Sequence, residues 1–261
     1  MKDRIFKKEI AAKFSFNKEV ASVFDDMLTR SVPYYNDNIA LIANLLEAKN
    51  TICDIGCSTG NTLLFLAQKY KHKFLFGIDN SAPMLEIATR KANAYGLDVY
   101  FKKADILEFD FKIPQDLLDN ANITLKKQNL KTSRNKIAKS NTFEAIISNY
   151  TMQFIRPQKR QDLAIKIFNA LPKSGIFIMS EKLICEDKWL DKTLIDIYHN
   201  FKEENGYSKT EISKKRESLE NILIPFSQDE NIAMLKNAGF NTVEVVFRFC
   251  NFACFIAMKN H

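Results

Sequence analysis

The sequence predicts an α/β domain built on a mostly parallel, seven-stranded sheet, and three observations predict it. Strand-like and helix-like segments alternate between residues 51 and 181, the pattern of parallel strands joined by crossover helices. An apolar run enters the small-residue turn Asp54-Ile-Gly-Cys-Ser-Thr-Gly60, a helix follows, and the next strand ends in the acid of Gly77-Ile-Asp-Asn-Ser81. Two strand-like runs, 242–249 and 252–258, close the chain across a very short turn, which adds an antiparallel hairpin at one edge. The expected architecture is Rossmann-like with added helices.

The elements follow in order. Val20, Val23, Phe24 and Met27 recur at helical spacing within 17–30, with Asn17 as cap and Pro33 just beyond the end. Ile39, Leu41, Ile42, Leu45 and Leu46 mark a second helix over 36–47, so N-terminal helices occupy 17–47. Core strands at 51–55, 74–78 and 98–102 alternate with helices at 60–70 and 82–95. Ser81 caps the second of these helices and Gly96 stops it. The polar stretch 112–141 lacks sustained periodicity and reads as an insertion into a single domain spanning 1–261. Its Lys- and Arg-rich part, between 126 and 139, contains no acid and reads as a solvated loop. Strand 143–149, helix 158–171 and strand 176–181 resume the alternation. Helices at 187–204 and 210–221 make a helical appendage near 187–221, and a helix at 228–237 leads into the hairpin.

Of 261 residues, 46% are hydrophobic, enough for a substantial core. No apolar run reaches the roughly 18 residues needed to span a bilayer, and the start lacks the apolar segment of a signal peptide. The expectation is a cytoplasmic protein. Five Cys, an odd number, argue against a disulfide framework. Neither Cys-x-x-x-Cys pair has a His or carboxylate at ligand spacing, so buried reduced thiols are expected and no metal. The net charge of +7 admits an RNA partner or small anionic substrates.

The turn and the following acid read as a nucleoside pocket. In open α/β sheets such a turn lets the backbone approach a ligand, and an acid about 20 residues on takes the ribose hydroxyls. A dinucleotide site prefers G-x-G-x-x-G, because the helix N-terminus receives a pyrophosphate. Here Ser58 stands where a middle Gly belongs and no Gly lies three residues after Gly60. That suits a nucleoside without phosphates, S-adenosylmethionine. The same G-x-S-x-G could be a hydrolase nucleophile elbow, which needs a later acid and then a His. Of the three His, His72 comes too soon, His261 is terminal and His199 lies in a helix. An ordinary helix-capping turn would not need Asp79.

Longer motifs recur in order along the chain: Arg30-Ser-Val-Pro-Tyr-Tyr35, Tyr150-Thr-Met-Gln-Phe154, Ser180-Glu-Lys182, Asn205-Gly-Tyr-Ser208 and Glu211-Ile-Ser-Lys-Lys-Arg216, then Leu219-Glu-Asn221 and Asn251-Phe252. With these the sequence resembles the carboxy-S-adenosyl-L-methionine synthase family, on a class I S-adenosylmethionine-dependent methyltransferase fold. The likeness covers nearly the whole chain outside the extreme N-terminus and the insertion. It implies an enzyme, a transferase, that converts S-adenosylmethionine and prephenate to carboxy-S-adenosyl-L-methionine and phenylpyruvate through a sulfonium ylide. The product is the carboxymethyl donor for wobble-uridine modification in tRNA. Direct tRNA binding is not implied, and an S-adenosylmethionine-dependent tRNA methyltransferase is the alternative.

The resemblance also implies roles for residues. Tyr35 would contact the methionine part, and Gly56, Cys57 and Ser58 would approach the ligand mainly through backbone. Asp79 would hold the ribose with Asn80 beside it, and Asp105 and Ile106 would frame the adenine. Asn149 would face the reactive end. Arg216 would pair with the new carboxylate from the partner subunit of a homodimer. Carboxy-S-adenosyl-L-methionine would be retained as bound product. One departure is Ala104, where relatives commonly have Gly.

Overall fold

The computed structural model describes residues 2–7, 13–71, 73–117 and 141–260. Among the described residues eight strands form one sheet: β1 (Thr51–Ile55), β2 (Phe74–Asp79), β3 (Tyr100–Lys103), β4 (Ala145–Asn149), β5 (Ile176–Ile184), β6 (Phe226–Ser227), β7 (Thr242–Phe249) and β8 (Phe252–Met258). The order is β3-β2-β1-β4-β5-β8-β7, with β6 pairing to the end of β5. The first five strands are parallel neighbours, whereas β8 runs antiparallel between β5 and β7. The expected hairpin therefore inserts its last strand inside the sheet and leaves β7 at the edge. The count of seven strands is corrected to eight. The addition, β6, has two residues, too few to show an alternating pattern in sequence, and forms because β5 runs on to Ile184 and offers Leu183 and Ile184 for pairing.

Alternation of side chains decides the layers. Along β4 and β5, Ala145, Ile147, Ile176 and Ile178 pack on one face, and Ile146, Phe177 and Met179 on the other. The first face is covered by α2 (Tyr35–Leu45), α3 (Asn61–Lys69) and α4 (Ala82–Ala94), through Ile42, Leu63, Leu66 and Leu85. The second is covered by α5 (Pro157–Ala170) and α8 (Gln228–Asn237), through Leu163, Ile167, Met234 and Leu235. A strand buried on both faces reads as a continuous apolar run. That is why 51–55 and 74–78 were legible.

Three further helices lie at the ends of the strands. They are α1 (Lys18–Ser31), α6 (Lys188–Glu204) and α7 (Lys209–Ser218). Asn17 caps α1 by accepting from the Val20 N–H, and Ser81 caps α4 by accepting from Met84. A reciprocal capping box, Ser208 with Glu211, starts α7. This helix ends at Ser218, three residues before the expected boundary, because Leu219 is held by a tightened turn and Asn221 adopts φ +59°. The expected helix starting at 36 begins instead at Tyr35, after Tyr34 takes a left-handed conformation at φ +53°.

The ends of the 112–141 insertion are stitched together by an antiparallel bridge between Lys112 and Thr142 and by a bond from Ile113 N–H to the Asn141 carbonyl. Its basic part, like His72 and His261, lies outside the described residues. All five Cys are free: Cys53, Cys57 and Cys254 are buried, Cys185 and Cys250 half-buried. Among the described residues no helix is long and apolar enough to cross a membrane.

Candidate active site

The chain runs outward from β1 through β2 to β3, then returns to the other side of β1 as β4. Ligands of open α/β sheets sit outside the carboxyl ends of the strands at such a reversal. A cavity of about 1020 Å3 occupies that place, and every residue proposed from the sequence borders it.

One part of the cavity is built around Asp79. Its Oδ2 accepts the Ser58 N–H at 2.9 Å and its Oδ1 the Ser81 N–H at 2.8 Å. The carboxylate is thus fixed from behind, with lone pairs left for two hydroxyls. Burial lifts its pKa above the usual carboxylate value, opposed by the N–H donors of Ser81, Ser58 and Asn80. Two amides of the Gly turn that borders the cavity are already engaged. Cys57 N–H goes to the Ile78 carbonyl and Ser58 N–H to Asp79.

Gly56 sits at φ +66°, and a Cβ there would overlap the Thr151 side chain. Gly56→Ala is expected to lower the melting temperature and to weaken S-adenosylmethionine binding. The left-handed backbone alone costs about 1–3 kcal/mol. Scanning calorimetry and a ligand titration check this, and wild-type values in both would remove Gly56 from the turn's function.

Just beyond β3, Ile106 is buried and Asp105 is exposed. Asp105 Oδ1 accepts the Leu107 N–H at 2.9 Å, so the acid also shapes its own turn. Tyr35 is buried at the start of α2, and burial pushes its phenol well above its ordinary value, opposed by the Asn61 side chain. Asn149 closes β4 with both ends held: its Nδ2 donates to Thr62 Oγ1 at 3.2 Å, and its Oδ1 accepts from Asn38 Nδ2 at 3.2 Å.

Sequence reasoning assigned no role to Asp54, two residues before Gly56. It borders the cavity, and its Oδ1 is buried with no hydrogen-bond partner among the described residues. Burial and the charge of Asp79 hold its carboxyl well above the usual range. A buried polar atom needs a partner, and the cavity that Asp54 borders leaves room for a ligand donor. The signal was present: an acid in a strand buried on both faces.

A second feature is a cationic wall from β5, α6 and α7, in which Lys182, Lys202 and Lys215, unassigned from the sequence, join Arg216; His199 lies among them, its pKa lowered by burial and by Lys202, Lys182 and Arg216. Burial brings Lys202 down to about 7, with Lys215 and Lys182 adding to it. Burial also brings Lys215 down to about 8, where Asp3 opposes and Arg30 assists. Lys215 Nζ donates to Ser31 Oγ at 2.8 Å, which ties α7 to α1. Arg216 is exposed on the wall of its own chain's cavity and has no hydrogen-bond or ion-pair partner among the described residues.

A roof covers these parts. Phe16, Phe24, Met27 and Leu28 border the cavity, with Phe16 edge-on to Phe154 at 5.3 Å. Asp25 of α1 accepts from Thr59 Oγ1 at 2.5 Å and Asn61 Nδ2 at 3.0 Å, and pairs with Lys91 at 2.9 Å. The helix is thereby pinned to the Gly turn. Among the described residues no group of three or more His, Cys, Asp or Glu is placed to hold a metal.

Residues 52–117 match a family model described as a methyltransferase domain. The solved apo structure of the S-adenosylmethionine-dependent methyltransferase SibL is similar in fold, with TM-score 0.63, 12% identity, and coverage of 97% of this chain and 64% of that one. The magnesium protoporphyrin IX methyltransferase of Synechocystis PCC 6803, solved with bound SAH, superposes with TM-score 0.56 at 14% identity, covering 98% and 92%. Among curated proteins, the carboxy-S-adenosyl-L-methionine synthase of Campylobacter jejuni subsp. doylei is 48% identical over 264 residues, covering all of both chains. That of Nautilia profundicola is 47% identical over 263 residues, covering 99% of this chain and 100% of its own. With identity of this level running end to end over the same α/β scaffold, the chain belongs to the carboxy-S-adenosyl-L-methionine synthase family, transferases on the class I S-adenosylmethionine-dependent methyltransferase fold.

Proposed function

We propose that this enzyme makes carboxy-S-adenosyl-L-methionine from S-adenosylmethionine and prephenate, and that the product serves tRNA wobble-uridine modification in the cytoplasm. The observation that carries the reading is one cavity with a nucleoside end at Asp79 and an unpaired guanidinium, Arg216, at the other. The transferable methyl of a methyl donor carries no carboxylate for Arg216 to meet, so a tRNA methyltransferase gives that guanidinium no role at the reactive carbon.

The atoms balance. Prephenate loses one carboxyl group as carbon dioxide and its ring hydroxyl, and becomes phenylpyruvate. The sulfonium methyl gives up a proton, which leaves with that hydroxyl as water, and its carbon bonds to the carbon dioxide. The chain's own residues divide the work. Asp79 takes the ribose, Asp54 and Tyr35 the amino-acid end, and Ile106 and Asp105 the adenine. Asn149 holds the reactive end in one orientation, since both of its polar ends are tied to α2 and α3. The Phe16 and Phe154 roof excludes water, which protects a carbanion-like carbon from reprotonation.

Arg216 forks onto the carboxylate as it forms, a geometry suited to bidentate pairing. A homodimer is part of the proposal, and a subunit-mixing experiment decides which subunit's Arg216 serves a site. The test of the reaction itself is the mass of the nucleoside that co-purifies with the protein. Carboxylation adds carbon dioxide, about 44 Da, to S-adenosylmethionine. Only unmodified S-adenosylmethionine, from protein supplied with prephenate, would overturn the reading.

A further inference from the structure

Two lysines of the cationic wall are unaccounted for by the nucleoside or by Arg216. Lys202 is 5% exposed, yet its ammonium has no hydrogen-bond acceptor or ion-pair partner among the described residues. It lies 4.3 Å from the centre of the Tyr198 ring. Lys182, half-buried on β5, lies 5.2 Å from the same ring and likewise lacks an acceptor or ion-pair partner. Lysine is almost never buried without a partner, and two like charges close together cost more than one. Both border the cavity, so an anion entering it can reach them.

The surroundings say what kind of anion. Tyr198 packs edge-to-face on Phe252 at 5.0 Å, and Phe252 on Tyr150 at 6.0 Å. That aromatic floor suits a flat carbon ring with a carboxylate at one end. Asp54 and Tyr35 already serve the amino-acid end of the nucleoside, and Arg216 serves the carboxyl carbon that moves. We propose that Lys182 and Lys202 clamp the other carboxylate of the co-substrate, the one that stays on phenylpyruvate, while the ring lies against Tyr198 and Phe252. The clamp rests on the synthase reading, since that reading supplies a co-substrate with two carboxylates. It gives the cavity two separate anion sites, one for the group transferred and one for the group retained, and so orients prephenate end for end.

A protonated Lys202 is needed to receive the carboxylate. The charged and titratable groups facing it are Lys182 from β5 and Lys215 from α7, with Tyr198 stacked on its own helix. Arg216 of α7 and Asp191 of α6 act on Lys182, and Asp196 acts on His199 beside them. Asp191 and Asp196, with Asp3 at Lys215, offset the positive field. With Lys202 at about 7, the free clamp loses its proton as the pH rises through neutrality. Binding of a monocarboxylate then weakens, because the bound anion must bring a proton with it.

The test is calorimetric titration of phenylpyruvate and of S-adenosylmethionine into the full chain, for wild type, Lys202→Met, Lys182→Met and Lys202→Arg. Methionine keeps the length of lysine and removes a buried unpaired charge, so these variants are expected to fold, which circular dichroism checks. About a tenfold loss of phenylpyruvate affinity is expected for each Met variant, the scale of one charge-assisted contact. The KM for prephenate should rise in parallel, with S-adenosylmethionine affinity within about twofold. Wild-type affinity for phenylpyruvate should fall between pH 6 and pH 9, and Lys202→Arg should flatten that fall, because guanidinium stays protonated. Unchanged phenylpyruvate affinity in both Met variants overturns the clamp and leaves the synthase reading standing if wild type still turns over prephenate. An equal loss of S-adenosylmethionine affinity assigns the lysines to the methionine carboxylate and also overturns it. No turnover of prephenate by wild type removes the synthase reading, and the clamp with it.

Discussion

Arg216→Ala is expected to abolish prephenate-dependent formation of carboxy-S-adenosyl-L-methionine while S-adenosylmethionine affinity stays within a few-fold. The asymmetry follows from charge. The substrate's transferable methyl offers the guanidinium nothing to pair with, whereas the product's carboxylate offers two oxygens in the plane of its fork. An interaction made only as the carboxylate forms lowers the barrier without tightening substrate binding. Arg216 is exposed and without a partner among the described residues, so its removal leaves no buried group orphaned and the fold should be unaffected. Arg216→Lys should rescue little, since a point charge cannot reproduce the fork. Product is followed by mass spectrometry and S-adenosylmethionine affinity by calorimetry. Full activity of Arg216→Ala would sink the synthase role of this residue. Mixing Arg216→Ala with Asp79→Ala subunits then assigns the arginine. Recovery in about half of the sites of each heterodimer means that Arg216 serves the partner's site, and no recovery means that it serves the cavity it borders in its own chain.

Asp79→Ala is expected to cost about 2–4 kcal/mol of S-adenosylmethionine binding, the value of two charge-assisted hydrogen bonds in a partly closed site. By calorimetry this reads as a loss of between roughly thirty- and a thousandfold. The same substitution strips the acceptors from the Ser58 and Ser81 amides, so the melting temperature should fall as well. Asp79→Asn separates the effects: its one remaining oxygen can keep one of the two amides, while the charge is lost. Weak S-adenosylmethionine binding by Asp79→Asn at near wild-type melting temperature places Asp79 on the ligand. Unchanged affinity in both variants would confine it to holding the turn.

The sequence by itself determined the α/β class with its mostly parallel sheet and antiparallel end, and singled out the Gly turn and Asp79 that border the cavity. The physical reason is locality. A strand buried on both faces must be apolar along its length, as in 51–55 and 74–78, and a turn that needs a left-handed backbone needs Gly56. Asp79 follows within one β-α-β unit, so its spacing is fixed by the helix between, and caps such as Asn17 and Ser81 act within three residues. Arg216 was legible through long ordered motifs rather than through its own surroundings, for in sequence it is one cation in a charged run.

The tertiary structure alone decided what depends on residues far apart in the chain. β6 exists only because β5 overshoots its neighbours. Asp54 reads as an ordinary strand residue until burial leaves its Oδ1 with no partner. Lys182 and Lys202 look like any two of the chain's many lysines, and Tyr198 like an ordinary core aromatic. Folding brings β5 and α6 together so that both ammoniums face one ring. Charge in a sequence says nothing about desolvation, and desolvation is what turns an ordinary lysine into an anion site.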